Sequence, residues 1–107
     1  MGNDLANGQL DLLLLAVLRR TPAHGYAIVQ VLRQRSGGTL DFAEGTIYPA
    51  LHRLEQSGSV TSSWVRDGGR RRKVYRLSPS GEVEFNRRRR SWQDFARNLE
   101  AVVGELW

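Results

Sequence analysis

The chain has 107 residues, which is enough for one domain with a modest hydrophobic core. Its 16 lysines and arginines outnumber 11 aspartates and glutamates, and this basic balance favours a polyanionic partner, either nucleic acid or an acidic membrane surface. The absence of cysteine excludes disulfides and thiol catalysis. A cytoplasmic location fits this absence. The apolar run Leu10–Leu18 contains Asp11, is too short to cross a bilayer and lacks the features of a signal peptide, so we expect no membrane-spanning segment.

The first predicted helix runs from Gln9 to Arg20 and ends at Thr21-Pro22, because proline disfavours a helical conformation in the residue before it. This helix is apolar on more than one side. Leu12 and Leu15 fall outside its main apolar face, so we expect a second subunit to cover them.

A second helix is predicted from about Gly25 to Arg35, followed by Ser36-Gly37-Gly38 as its stop signal. His24 stands alone beside the turn before this helix. A structural or capping role is therefore favoured over catalysis for this histidine.

The third predicted helix starts near Ala43 or Glu44, which keeps Pro49 close to the first turn, and ends before Gly58. Asp41 and Glu44 could form a capping box at its start. One face is apolar, and the opposite face carries few acids and suits a DNA major groove. The candidate DNA-reading residues on that face and its flank are Thr46, Tyr48, Pro49, His52 and Arg53. The alternative interpretation is an ordinary amphipathic helix with a solvated back.

A β-hairpin follows, because Asp67-Gly68-Gly69 separates two segments rich in β-forming residues. Tyr75 and Leu77 should share a face and meet the core. The candidates for contacts with DNA phosphates or the minor groove are the cations Arg70, Arg71, Arg72 and Lys73. The alternative is that these charges only keep an exposed strand edge from aggregating.

The last predicted helix opens with Ser78 as N-cap and Pro79 at its first position. Large apolar residues then recur at spacings of three and four, a pattern that indicates a dimerisation seam interrupted by Arg88. The predicted dimer interface comprises Leu12, Leu15, Trp92, Phe95, Leu99, Val102 and Leu106. Trp92 and Phe95 are also candidates for stacking on a small aromatic effector, although plain interface packing explains them as well.

This order of elements predicts a mainly α fold with a small β-hairpin (α+β), namely a winged helix-turn-helix domain over residues 1–78 and a C-terminal dimerisation helix over residues 79–107, in one compact unit. The sequence resembles the PadR family of transcriptional regulators in its short, single C-terminal helix subgroup. Four stretches carry the resemblance: Leu13–Leu18, His24-Gly25-Tyr26, Gly45–Glu55 and Gly69–Gly81. The resemblance implies a homodimeric repressor that releases an operator in double-stranded DNA when an effector binds.

Rival functions find less support in the sequence. An enzyme is disfavoured, because two histidines and no cysteine offer no catalytic or metal-binding cluster, and no cofactor-binding motif is present. A winged-helix module that docks an acidic protein is the main alternative. A role at a membrane surface ranks third, because the cations cluster on a hairpin and not along an amphipathic helix.

Overall fold

The computed structural model describes residues 7–104, which form an α+β fold of four helices and a three-stranded antiparallel sheet. The elements in chain order are α1 (Asn7–Arg20), β1 (Ala23–His24), α2 (Gly25–Arg35), α3 (Glu44–Gln56), β2 (Val60–Asp67), β3 (Arg70–Leu77) and α4 (Pro79–Gly104). The predicted order of three helices, a hairpin and a long helix is therefore confirmed. None of the described helices is both long and apolar enough to cross a membrane.

The sheet has one strand more than the sequence predicted. The two-residue strand β1 pairs with β3, with Ala23 opposite Tyr75 and His24 opposite Val74, so the strand order is β1-β3-β2. A strand of two residues has no alternation that a sequence pattern could reveal. His24 also caps α2, because its Nδ1 accepts a hydrogen bond from the Ala27 amide at 3.2 Å. The capping role expected of this histidine is thus confirmed.

Helix α1 lies at the centre of the fold and contacts α2, α3, α4 and β3. Leu14 and Leu15 are both completely buried. The prediction that Leu15 belongs to a dimer interface was wrong, because the other elements of its own chain already cover it. Leu12 remains only partly buried at the edge of the core. Helix α1, which is apolar on several sides, is therefore buried mainly by other elements of its own chain.

Helix α3 packs one face into this core through Ile47, Ala50, Leu51 and Leu54. It starts at Glu44, as predicted from the position of Pro49. The expected capping box is absent: the N-cap is Ala43, which makes no side-chain cap hydrogen bond. Asp41 instead accepts hydrogen bonds from Arg33 at 2.8 and 3.0 Å, which ties the connector to the end of α2.

The hairpin turns at Gly68 and Gly69, whose φ angles of +59° and +84° lie in the left-handed region that glycine adopts without strain. Strands β2 and β3 pair in register from Val60 opposite Leu77 to Asp67 opposite Arg70. Tyr75 is buried and Leu77 partly buried, so the expected contact of this face with the core is confirmed. The hairpin tip extends beyond that contact into solvent, which makes it a wing.

Helix α4 begins as predicted, because the Ser78 hydroxyl accepts a hydrogen bond from the Gly81 amide at 3.0 Å and Pro79 occupies the first position. Gly81 is needed here, since a Cβ at this position would lie 1.9 Å from the Ser59 carbonyl oxygen. Beyond its first turns α4 leaves the body of the domain. The radius of gyration is accordingly 15.3 Å, above the value of about 13 Å for a compact chain of 100 residues.

Candidate nucleic-acid interface

The outward face of α3 is exposed along its whole length. All five residues predicted to read DNA lie there or on its flank, namely Thr46, Tyr48, Pro49, His52 and Arg53. The buried face described above anchors the helix to the core, so the exposed side chains stand on a rigid base. Such a helix has the form needed to enter a major groove with its first turns towards the base edges.

Tyr48 has a second role that the sequence did not predict. Its ring lies on the first turn of α2, where a Cβ added to Gly25 would come within 2.7 Å of the hydroxyl. That hydroxyl donates a hydrogen bond to the Glu44 carboxylate at 3.3 Å. Partial burial and then the neighbouring Glu44 charge raise the pKa of Tyr48, so the hydroxyl remains a donor at neutral pH. Gly25 and Tyr48 therefore hold the two helices together at their N-termini.

Arg53 also has an intramolecular partner. Its Nη2 donates to Oδ1 of Asp11 in α1 at 3.0 Å. The sequence treated Arg53 as a free side chain of the reading face, but the structure turns its guanidinium towards α1. Only the tertiary fold could reveal this pair, because the two residues are separated by 42 positions.

The four cations of the wing differ in their surroundings. Arg70 and Arg71 are exposed near the tip, whereas Arg72 and Lys73 are half-buried. Two of them lie near acids, because Arg72 Nε is 3.7 Å from Asp67 Oδ2 and Lys73 Nζ is 3.9 Å from Glu55 Oε1. Arg70 and Arg71 are therefore better placed than the other two to meet the phosphates of an approaching duplex.

Two aromatic residues near the wing were missing from the predicted site. Trp64 of β2 is exposed, and the Arg71 guanidinium lies 4.8 Å from the centre of its ring. Trp64 and Tyr26 line a cleft of about 450 Å³ between the starts of α2 and α3 and the wing. Arg71, Arg72 and Lys73 also line this cleft, so cations and aromatic rings lie together beside the reading helix. The sequence signal for this feature was a tryptophan, Trp64, that follows two serines within a predicted strand.

The second half of α4 presents large apolar residues to solvent. The exposed fractions are 49% for Trp92, 59% for Phe95, 49% for Leu99 and 63% for Val102. These are four of the predicted interface residues, and they share one face of the helix. Leu106, which was predicted to continue this seam, lies outside the described residues.

A cleft of about 460 Å³ separates the start of α1 from α4. Leu12, Trp92 and Phe95 line it together with Arg88, so the structure joins the two predicted effector residues to a third interface residue. Arg88, which interrupts the apolar seam, donates from Nε to Glu84 Oε2 at 2.6 Å and from Nη1 to the Gly8 carbonyl at 3.4 Å. Arg88 thus interrupts the apolar seam because its side chain forms hydrogen bonds within its own chain.

Within residues 7–104, no three histidine, cysteine, aspartate or glutamate side chains lie close enough together to hold a metal ion. The acids found near the reading helix and the wing are instead paired with arginine, lysine or hydroxyl groups, as in Arg53–Asp11 and in the bond from Ser62 to Glu55 at 2.6 Å. What this region presents to solvent is the polar face of α3, exposed aromatic rings and positive charge.

Comparison with known proteins matches residues 14–87 to the transcriptional regulator PadR-like family. A PadR family transcriptional regulator from Eggerthella lenta is 30% identical, with a TM-score of 0.80 over 90% of this chain and 82% of that one. A transcriptional regulator from Clostridium thermocellum is 25% identical, with a TM-score of 0.84 over 94% of this chain and 96% of that one. The transcriptional regulator Rv3488 of Mycobacterium tuberculosis is 42% identical over 55 residues, about half of each chain.

Proposed function

The chain belongs to the PadR-like family of transcriptional regulators and not to a family of enzymes, and we propose that it acts in the cytoplasm as a dimeric repressor. In this proposal the dimer binds an inverted repeat in duplex DNA, with one α3 helix and one wing for each half-site. A small aromatic molecule bound beside α4 releases the DNA.

The observation that carries the DNA-binding proposal is the exposed polar face of α3 next to a wing that carries Arg70 and Arg71. The apolar face of α3 is buried, so the polar face is held in a constant orientation. Thr46, Pro49 and His52 stand on that face without covering elements. The helix would supply the contacts to base edges, and the wing would supply contacts to phosphates that are independent of sequence.

The exposed seam on α4 supports the proposed dimer. Side chains of tryptophan, phenylalanine and leucine in a regular three-four spacing are costly to leave in water and pack well against a second helix. One small domain also offers little surface for an operator affinity of about 10⁻⁸ M or tighter at physiological salt. A twofold axis through the α4 helices would present two α3 helices about 34–36 Å apart, one turn of DNA.

The effector proposal rests on the cleft lined by Leu12, Trp92 and Phe95. Flat aromatic molecules stack well on such rings, and a volume of about 460 Å³ lies within the range of small-molecule sites. Titration with planar aromatic compounds should quench tryptophan fluorescence. A quenching that persists in Trp92→Phe would assign the effect to Trp64 or Trp107 and contradict this site.

Footprinting of the purified protein on the DNA upstream of its own gene tests the whole proposal. We expect protection of two half-sites and an affinity that falls steeply with salt, because binding releases counterions from the phosphates. Arg71→Ala should weaken specific and non-specific binding together and reduce the salt slope by about one unit. Arg90→Ala removes the same charge from an exposed position of α4 and is the matched control. Tight capture of an acidic protein without any binding to duplex DNA would support the alternative protein-docking module.

A further inference from the structure

Asp11 is an acid buried in the core. It is the only acidic residue of α1 and stands in an otherwise apolar run, yet only 6% of its surface is exposed. A buried carboxylate without partners would be strongly destabilising. The position therefore requires cations that reach it from neighbouring elements.

Two arginines reach this carboxylate from opposite sides. Arg53 of α3 lies 3.0 Å from Oδ1, and Arg88 of α4 lies 3.8 Å from Oδ2. Arg88 is held in addition by Glu84 and by the Gly8 carbonyl. The side chain of Arg53 is the more exposed of the two arginines. Of the two, Arg53 is thus the one that can exchange its carboxylate for an external anion.

We propose that Asp11 is a positioning residue that competes with DNA for Arg53, and that Arg88 sets the strength of this competition. The inference rests on the proposed DNA-binding function. Two guanidinium groups beside one carboxylate repel each other and share its attraction. When Arg88 is close, Asp11 therefore holds Arg53 less tightly, and Arg53 is released more readily to a phosphate or a guanine.

This arrangement connects the cleft beside α4 with the reading helix through the side chain of Asp11. Arg88 lines the cleft beside Trp92, whereas Arg53 belongs to the reading helix. If a molecule bound in the cleft moves Arg88 away from Asp11, the carboxylate interacts with Arg53 alone and binds it more tightly. The arginine is then withdrawn from DNA, so occupation of the cleft lowers the affinity for the operator.

The test measures affinity and salt slope on the footprinted duplex for two charge variants with opposite expected effects. Asp11→Asn frees Arg53 and should tighten binding by about three- to tenfold, with a salt slope steeper by about one unit. Its control is Glu82→Gln, which removes the same charge and another ion pair between α4 and α1, that of Glu82 with Arg19. Arg88→Gln should weaken binding by about three- to tenfold relative to Arg90→Gln, a variant at an exposed position of α4 with the same loss of charge.

The decisive comparison repeats both substitutions in an Arg53→Gln background. If Arg53 carries the coupling, both effects disappear there. Effects that persist without Arg53, or a folded Asp11→Asn protein that binds like the Glu82→Gln control, would overturn the coupling while the proposed DNA binding stands. If Asp11→Asn fails to fold, the comparison of Arg88→Gln with Arg90→Gln decides alone: equal affinities for DNA overturn the coupling. A native protein that binds no duplex would overturn both proposals.

Discussion

The two halves of α4 carry the same three-four spacing of large residues but meet different surroundings. In the first half, Phe85 is buried against the core and Arg88 is bound to Glu84. The guanidinium groups of Arg19 and Arg89 lie 5.2 and 5.5 Å from the centre of the Phe85 ring. In the second half, Trp92 and Phe95 are about half exposed.

The difference shows that a periodic apolar pattern indicates which helix face is buried. It does not indicate whether another element of the same chain or a second chain packs against that face. The first half of α4 packs against α1 of the same chain. The second half borders the cleft at the start of α1 through Trp92 and Phe95 and presents Leu99 and Val102 to solvent. Both stretches satisfy the same helical spacing. Variants on the two halves should therefore affect different equilibria: unfolding of one chain for the first half, and association of two chains for the second.

The largest effect is expected from Phe95→Asp in the second half. In a twofold dimer each chain would bury one unpaired aspartate. Because each buried charge costs at least about 3 kcal/mol, the two copies should weaken association by about 6 kcal/mol or more. We expect a monomer or a misfolded protein by sedimentation, with loss of specific DNA binding. Gln93→Ala, an exposed neighbour, should change neither. A Phe95→Asp dimer that still binds the inverted repeat would show that the dimer uses another surface.

Phe85→Ala tests the first half. Removal of a buried phenylalanine should lower the free energy of unfolding by about 3–5 kcal/mol, because a cavity remains. Urea denaturation at several protein concentrations should show the same difference in free energy of unfolding between Phe85→Ala and the native protein. Both proteins should become more stable as the concentration rises, because dimer formation stabilises the folded state. Val83→Ala, at an exposed position in the same half, should change stability by less than about 0.5 kcal/mol. Similar losses for both variants would mean that Phe85 contributes no more than a surface residue.

A smaller loss is expected at the N-terminus of α4. Ser78→Ala removes the acceptor of the Gly81 amide and the single hydroxyl proton that Ser78 shares between the carbonyl oxygens of Gly58 and Ser59. It should cost about 1 kcal/mol of stability in thermal denaturation, while Ser78→Thr should recover most of it. An equal loss with threonine would indicate that the packing of the methyl group, and not the cap, decides the result.

The smallest effect concerns pH. Hydrogen bonds from Arg87 and then Arg88 hold the pKa of Glu84 below its ordinary value of 4.5, in spite of partial burial. A depressed folded pKa stabilises the protein above the unfolded pKa, and this contribution is lost as the pH falls through the folded value. The stability advantage of the native protein over Glu84→Gln should therefore be present above about pH 5 and vanish in more acidic solution. An advantage that grows on acidification would contradict this sign.

Local patterns were sufficient for the helices and for the hairpin strands, but not for β1. The α2 bounds, the Ser78 cap, the glycine turn and the buried face of α3 each depend on residues within one or two turns of one another, where spacing and backbone preference decide the conformation. The same local logic predicted that Thr46, Pro49, His52 and Arg53 share an exposed side. Leu15 shows its limit: periodicity placed this residue off the main face, but the fold surrounded α1 with other elements.

The sequence by itself thus determined the order of elements, the faces of the helices and the charge of the wing. Only the tertiary structure decided which surfaces those faces meet. It paired Asp11 with Arg53 and Arg88 from distant parts of the chain, laid Tyr48 on Gly25 and added β1 to the sheet. These contacts depend on how several helices pack against one another. They join residues that are far apart in the sequence, and no periodic pattern of residues indicates such pairs.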